Sequence, residues 1–288
     1  MLRSLTSAIS GLQSFQQRLD VIGNNIANVN TTGFKGSRVG LSDSFSQTLR
    51  SSSAGTGGAS GTSAMQIGLG VGIQSISNSY TQGALSRTSV GTDLAVTDAG
   101  FFVVRDPISS NEFATRAGDF SVDENGFLVT NVGMRVQGYN DTVPGTIGDI
   151  QIDTVGMPAT SDPTATMVSF AIDTEGKINV NLSDGTQFVR AQILLQNFSN
   201  PQGLMKEGNN LYSGMGAAGP LGGATNPTPA APGTSGLGKI QSGALELSNV
   251  DLATEFTSLI TTQRAYQANA RVITTSDEML QELVNLKR

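Results

Sequence analysis

Residues 2–30 read LRSLTSAISGLQSFQQRLDVIGNNIANVN, and this stretch decides how the chain begins its fold. Two apolar rows run through it, and each row repeats every seven residues. The first row is Leu5, Leu12, Leu19 and Ile26, and the second row is Ala8, Phe15, Ile22 and Val29. This pattern is typical of a helix that packs along another helix. We therefore predict a long helix that ends near the Asn-rich stretch at residues 24–30.

The other end of the chain repeats this pattern. One row consists of Leu252, Leu259, Tyr266, Ile273 and Leu280. The second row is Phe256, Ala270 and Val284, with Gln263 and Asp277 interrupting it. Ser248 and Asn249 are residue types that cap helices, and acidic residues follow in the first turn, where they favour the helix dipole. We predict that the two terminal helices pair and that the chain assembles with copies of itself.

The apolar rows give the predicted assembly interface. Its residues are Leu5, Leu12, Phe15, Leu19, Ile22, Ile26, Leu252, Phe256, Leu259, Tyr266, Ile273 and Leu280. Gly11 lies inside the first helix beside several serines. It either allows a neighbouring helix to approach closely or is a tolerated defect that costs up to ~1 kcal/mol. The sequence does not decide between these two alternatives.

The middle of the chain has the pattern of short strands separated by turns. Asp123-Glu124-Asn125-Gly126 separates two apolar triplets, and Glu175-Gly176 and Asp184-Gly185 separate later ones, as in β-hairpins. Residues 51–63 are rich in Gly and Ser, and residues 213–238 are rich in Gly, Pro and Ala without a charge. Both stretches have the composition of linkers.

The predicted fold class is therefore α+β, in which paired, coiled-coil-like N- and C-terminal helices enclose an all-β central domain. The predicted parts are a helical assembly domain (1–30 and 248–288), a connecting region (31–80), a β domain (81–212) and a return segment (213–247).

Composition excludes several classes of function. The 288 residues include no Cys and no His, so the usual zinc and copper ligands and the commonest general base are missing. The net charge of −6 argues against a nucleic-acid partner. No apolar run is long enough for membrane insertion. Gly68, Gly70 and Gly72 do not fit a nucleotide-binding fingerprint. We therefore expect no cofactor and no catalytic site.

Asp123, Asn125 and Asp141 carry oxygen atoms that could bind calcium, but their spacing does not match a calcium loop. Turn chemistry explains these residues better, because Asp and Asn favour turns. We expect no metal site.

Several motifs, in order along the chain, resemble the flagellar hook and rod family of bacterial axial proteins. The motif NNIANVNTTGFK at residues 24–35 is close to that family's N-terminal motif, and its matching residues are Asn24, Asn25, Asn28, Asn30, Thr31, Gly33 and Phe34. The C-terminal segments SNVDL, QRAYQAN and ITTSDEML resemble the family as well. Between the ends, QIGLGVGI, DLAVTDAGFFVV and FATRAGDFSVDENGFLV match in the same order. The resemblance becomes weaker after residue 140.

The resemblance implies a structural subunit of the flagellum that forms a helical homopolymer. The opening and closing sequences look most like hook subunits, which form a flexible joint between motor and filament. The distal rod protein, a rigid drive shaft, is the alternative. Only about 70 residues separate Asp141 from Leu211, which leaves little room for the second β domain of longer hook proteins and weakens that choice.

The resemblance also implies partners and a location. The partners would be further copies of the chain, the rod and hook–filament junction proteins, the hook cap and the flagellar type III export apparatus. The subunit would reach the extracellular part of the flagellum without a cleaved signal peptide. A secreted adhesin is a more distant alternative, which would explain a polar β domain but not the heptads at both ends.

Overall fold

The computed structural model describes residues 2–55, 60–140, 145–158, 161–162, 164–221 and 228–286. The chain divides into two compact units. Unit 1 comprises Met1–Ala27, Gly36–Ser79 and Val250–Arg288, and unit 2 comprises Asn28–Lys35 and Tyr80–Asn249. The fold class is α+β, mostly β with one long helix near each end of the chain, as the sequence predicts.

Unit 1 contains the two helices, α1 (Leu2–Ala27) and α2 (Leu252–Leu286). The cap of α2 differs from the prediction. Asp251, not Ser248 or Asn249, precedes the first turn, and its carboxylate accepts hydrogen bonds from Ala253 N at 2.9 Å and from Thr254 Oγ1 at 3.1 Å. An acidic cap also suits the positive end of the helix dipole. In the described part of the chain, neither helix is long and apolar enough to cross a membrane.

Residues 36–79 form an antiparallel β-ribbon in unit 1, where the sequence predicts a connecting region. Its strands are β1 (Ser37–Asp43), β2 (Ser46–Arg50), β3 (Met65–Gly68) and β4 (Val71–Asn78). β1 pairs with β4 and β2 pairs with β3. Ser53 and Thr62 exchange two backbone hydrogen bonds of 3.1 Å inside the Gly/Ser-rich stretch. Residues 56–59 of that stretch lie outside the described residues.

Unit 2 contains the remaining strands. They are β5 (Leu85–Arg87), β6 (Leu94–Thr97), β7 (Phe101–Arg105), β8 (Glu112–Thr115), β9 (Phe120–Val122), β10 (Leu128–Thr130), β11 (Arg135–Tyr139), β12 (Ile147–Asp149), β13 (Met167–Ile172), β14 (Lys177–Leu182), β15 (Gln187–Ile193), β16 (Leu195–Gln196), β17 (Met205–Gly208), β18 (Leu211–Ser213), β19 (Lys239–Ser242) and β20 (Ala244–Glu246). A short 3₁₀ helix, Pro201–Gly203, lies between β16 and β17. The main sheet runs in the order β13-β14-β15-β11-β7-β8-β18-β17, with antiparallel pairing between neighbours.

The predicted hairpin turns are confirmed. β9 pairs with β10 across residues 123–126, and β13, β14 and β15 pair in succession across the two later turns. Gly126, Gly176 and Gly185 have φ angles of +82°, +74° and +83°, which only glycine adopts readily. Asp123 and Asn125 lie in the first of these turns, and Asp141 lies outside the described residues.

Residues 213–247 are part of the unit 2 fold rather than a linker. β19 pairs with β6, and β20 pairs with β5. Leu237, Ile240 and Ala244 are buried among the described residues of the core. At Gly238 a glycine is required by close backbone approach, since a Cβ there would lie 1.6 Å from the carbonyl oxygen of Thr97. Residues 222–227 lie outside the described residues.

An aromatic cluster forms one part of the unit 2 core. Phe101, Phe198, Tyr80 and Tyr212 meet edge to face, with ring centroids 5.5 to 6.0 Å apart. Tyr212 is 1% exposed. Burial raises the pKa of its hydroxyl far above the usual value of 10.0.

Unit 2 should therefore lose stability in alkali through Tyr212. Above pH 10.0 the unfolded chain releases a proton that the folded chain retains, so unfolding becomes more favourable as the pH rises. We expect the free energy of unfolding to fall by about 1.4 kcal/mol per pH unit from this group. Urea titrations of wild type and Tyr212→Phe in this pH range measure the difference in slope, with the exposed Tyr266→Phe as control. Equal slopes in wild type and Tyr212→Phe would contradict this assignment.

Candidate functional site

The apolar stripe of α1 lies on its covered side. Ile22 is buried, and Leu5, Leu12, Phe15, Leu19 and Ile26 are partly buried. Two elements of unit 1 contact α1, namely α2 and the β1–β4 ribbon. Ser10 Oγ accepts a hydrogen bond from Val71 N at 3.3 Å, which fixes the start of β4 on the helix.

Only part of the predicted α2 stripe is covered. Leu259, Ile273 and Leu280 are partly buried, whereas Leu252 and Tyr266 are exposed to 40% and 37%. Phe256, from the second predicted row, is exposed to 49%. The six predicted residues of α2 therefore differ in exposure, with three partly buried and three exposed.

A polar row completes the covered side of α2. It repeats every seven residues and consists of Glu255, Thr262, Asn269 and Ser276. Thr262 and Ser276 are each 3% exposed. The second row predicted from the sequence is a different one, namely Phe256, Ala270 and Val284, with Gln263 and Asp277 interrupting it. In the described monomer Phe256 and Val284 are exposed and Ala270 is partly buried. The polar row was not predicted, because counting only apolar residues overlooks a row built from small and polar side chains.

The two helices run antiparallel. Asn25, near the end of α1, donates to Glu255 Oε1, near the start of α2, at 3.1 Å. Midway along both helices, a Cβ on Gly11 would lie 2.7 Å from Asn269 Nδ2. Gly11 therefore permits close approach of α2, which decides between its two alternatives.

The exposed surface of α2 carries many large apolar side chains, and we call this surface the apolar side of α2. They are Leu252, Phe256, Ile260, Tyr266, Val272, Met279, Leu283, Val284 and Leu286. An exposed row of polar and charged side chains, Thr257, Arg264, Arg271 and Glu278, runs between them, with Phe256 and Ile260 on one flank and Val272 and Met279 on the other. Exposed apolar side chains on both flanks of a charged row are typical of a helix that packs against further helices.

The family-motif residue Asn25 connects three elements of unit 1. Its side chain is 3% exposed. Nδ2 donates to Ser37 O at 2.8 Å as well as to Glu255, and Oδ1 accepts from Ser37 N at 3.0 Å. Asn25 therefore joins the end of α1 to the start of β1 and to α2.

The other asparagines of the motif have more exposed positions. Asn28 Oδ1 accepts from Thr31 Oγ1 at 3.1 Å, and the Thr31 amide donates to Asn28 O at 3.1 Å, which closes a turn after α1. Asn24 and Asn30 are exposed. The motif thus contains both buried and surface positions.

Gly33 and Phe34 lie inside unit 2. The Gly33 amide donates to Glu246 O at 2.7 Å, and a Cβ on Gly33 would lie 2.6 Å from Ala117 N. Its φ of +66° also favours glycine. Lys206 Nζ lies 4.6 Å from the centre of the Phe34 ring, a cation–π contact. These contacts explain why this motif contains a Gly followed by an aromatic residue.

Three ionised side chains, Lys35, Arg116 and Glu246, meet in the interior of unit 2; we call them the Glu246 cluster. Glu246 Oε1 accepts from Lys35 Nζ at 2.7 Å, and Oε2 accepts from Arg116 at 3.2 Å. Lys35 and Glu246 side chains are 0% exposed and Arg116 is 4% exposed. Burial lowers the pKa of Lys35 and of Arg116, and the charge of Glu246 opposes that effect.

Backbone groups complete the Glu246 cluster. Lys35 Nζ donates to Thr81 O at 2.8 Å, and Arg116 donates to Asp98 O at 2.6 Å. The Gly83 amide donates to Glu246 Oε1 at 2.8 Å. The sequence does not indicate these residues as a site, since Lys35 and Glu246 are 211 positions apart. Nothing in a single sequence pairs residues at such a distance.

Three family models match the chain. Residues 5–35 match "Flagella basal body rod protein", residues 95–180 match "Flagellar hook protein FlgE/F/G D1 domain", and residues 241–286 match "Flagellar basal body rod FlgEFG protein C-terminal". Together these segments cover more than half of the chain. The chain belongs to the FlgE/F/G family of flagellar axial proteins. Its members are structural components of the flagellum, and the resemblance seen in the sequence is confirmed.

Relatives within the FlgE/F/G family include both rod and hook proteins. The basal-body rod protein FlgG of Bacillus subtilis is 43% identical over 288 residues, 100% of each chain. FlgG of Buchnera aphidicola subsp. Schizaphis graminum is 38% identical over 290 residues, 99% of this chain and 100% of its own. The hook protein FlgE of Borreliella burgdorferi is 30% identical over 450 aligned positions, 100% of each chain.

Proposed function

We propose that the chain is a subunit of the flagellar rod and forms part of the rigid shaft that carries motor torque. The observation that carries this proposal is the end-to-end match to a rod protein, 43% identical over all 288 residues. The alignment with the hook protein extends over 450 positions, so the hook protein contains long segments that this chain lacks. The comparisons therefore support the rod alternative better than the expected hook assignment.

The proposed assembly uses the terminal helices. α1 and α2 pack together through the polar row, and the apolar side of α2 then contacts α2 or α1 of neighbouring copies. The exposed side chains of Phe256, Ile260 and Met279 support this arrangement, because they remain uncovered in the monomer. Each large apolar side chain that neighbours bury would contribute roughly 1.5–3 kcal/mol to the polymer.

The proposed partners follow from a position in the rod. They are further copies of this chain, adjoining rod and hook subunits and the flagellar type III export apparatus, with export that leaves no cleaved signal peptide. The hook cap and the hook–filament junction proteins are partners of the less supported hook alternative.

Labelling the chain in isolated hook–basal bodies tests this proposal. A gold-labelled epitope at an exposed position of unit 2 should decorate the rod and leave the curved hook unlabelled. Deleting the gene should leave the rod incomplete. Label on the hook, or completed rods in the deletion strain, would contradict the rod assignment and favour the hook.

Phe256→Asp tests the apolar side of α2 directly. Between copies this carboxylate would lose its hydration without gaining a partner. That costs several kcal/mol, so polymerisation should be lost. Circular dichroism should show unchanged helix content, because Phe256 does not lie on the side that faces α1. Thr257→Asp places the same charge on the neighbouring charged row and should leave polymers intact. Normal polymers from Phe256→Asp would show that this side of α2 faces solvent.

A further inference from the structure

Both segments that connect unit 2 to the helices meet at Glu246. The N-terminal segment, residues 28–35, contributes Lys35 Nζ, 2.7 Å from the carboxylate, and the Gly33 amide, 2.7 Å from the carbonyl oxygen. The C-terminal segment contributes Glu246 itself at the end of β20. The Gly83 amide and Arg116 supply the remaining donors to this carboxylate.

The positive and negative charges in the cluster do not balance, so removing the carboxylate has a different effect from removing one cation. Two cations share one carboxylate, and all three side chains are almost completely buried. Without Lys35, Glu246 and Arg116 still form a neutral pair. Without Glu246, two cations remain in the interior, and a buried charge that loses its partner is strongly destabilising. Burial of the N-terminal segment therefore depends on the presence of Glu246.

We propose that the Glu246 cluster is an interlock, in which residues 33–35 become buried only when β20 has paired with β5. The backbone bond from Gly33 to Glu246 O strengthens this dependence, since it also needs the C-terminal strand in place. Chains are made from the N-terminus, so residues 33–35 stay accessible until residue 246 has emerged. The interlock thus keeps the end of the N-terminal motif exposed in every incomplete chain and buries Gly33, Phe34 and Lys35 in the complete fold.

Hydrogen exchange on the full-length protein tests the interlock. In Glu246→Gln, amides of residues 33–35 and of the β5–β20 pair should exchange together at least about 100-fold faster than in wild type. Amides of β14 and β15 should be unchanged. Lys35→Met should have a smaller effect on both segments. The double variant Lys35→Met/Glu246→Gln should exchange more slowly than Glu246→Gln, because only one buried cation remains.

Two further variants separate the interlock from a general loss of stability. Glu175→Gln removes an exposed ion pair with Lys177 and should leave exchange unchanged. Gly33→Ala displaces the N-terminal segment without altering a charge, since its Cβ would meet Ala117 N at 2.6 Å. It should also release the β5–β20 pair.

Three results would overturn the interlock. Glu246→Gln could release β20 while residues 33–35 keep their protection, or Gly33→Ala could affect residues 28–35 alone; either would show that the segments dock independently. Equal acceleration of all unit 2 amides in both variants would assign the cluster to general core stability.

Discussion

Leu259→Asp should abolish polymerisation and leave unit 2 folded. Leu259 lies on the side of α2 that faces α1, where it is partly buried beside the polar row. A carboxylate there would lose part of its hydration without gaining a partner, which disfavours the contact between the helices. The helix pair would then separate, and the surfaces that copies recognise would be lost. Electron microscopy and light scattering would detect the absence of polymers, and calorimetry would follow the melting of unit 2.

Comparing Leu259→Asp with Phe256→Asp distinguishes the contact between α1 and α2 within one subunit from the contact between copies. Leu259→Asp should reduce the helix content of the monomer, whereas Phe256→Asp should not, although both variants should fail to polymerise. Thr257→Asp serves as control for both, since it introduces the same charge in an exposed row. If Leu259→Asp forms normal polymers, the predicted row faces solvent. If the melting transition of unit 2 disappears, α2 is required for that fold.

The seven-residue rows predicted the helices because apolar spacing is a local property of the sequence. The existence of α1 and α2, and the Asp-Gly and Asn-Gly turns of unit 2, follow from such local patterns. The polar row of α2 was not predicted, since serine, threonine and asparagine at a helix contact resemble ordinary surface residues. Their contact becomes visible only when Gly11 is known to lie on the facing helix surface.

Residues 213–247, which the sequence predicts to be a linker-like return segment, differ from that prediction for another reason. Residues rich in Gly, Pro and Ala have the composition of a linker, yet Gly238 is required by the close approach of Thr97 O. Likewise, nothing in the sequence around Lys35 indicates that this lysine is buried. Its partner Glu246 is supplied by the other end of the chain, and only the three-dimensional fold brings the two together. Long-range pairing of this kind leaves no pattern in neighbouring residues.

Asn25→Ala should destabilise unit 1 by more than the truncation of one small side chain usually does. The substitution removes three hydrogen bonds from a buried position and leaves Ser37 N, Ser37 O and Glu255 without this partner. Each such loss costs about 1–3 kcal/mol, so the joint between α1, β1 and α2 should open in the monomer. We expect rapid hydrogen exchange at the Ser37 amide and a strong rise in the protein concentration needed for polymerisation.

Asn30→Ala is the matched control for this result, because Asn30 belongs to the same motif but has an exposed side chain. It should assemble at the wild-type concentration. The contrast matters for the function of the motif, since equal defects in both variants would mean that these asparagines act by contacting a neighbouring copy. A defect confined to Asn25→Ala, with Ser37 unprotected, instead means that the motif first builds the monomer. The ordered joint then presents the apolar side of α2 to the next subunit, so polymerisation depends on a hydrogen-bonded residue that never touches the neighbour.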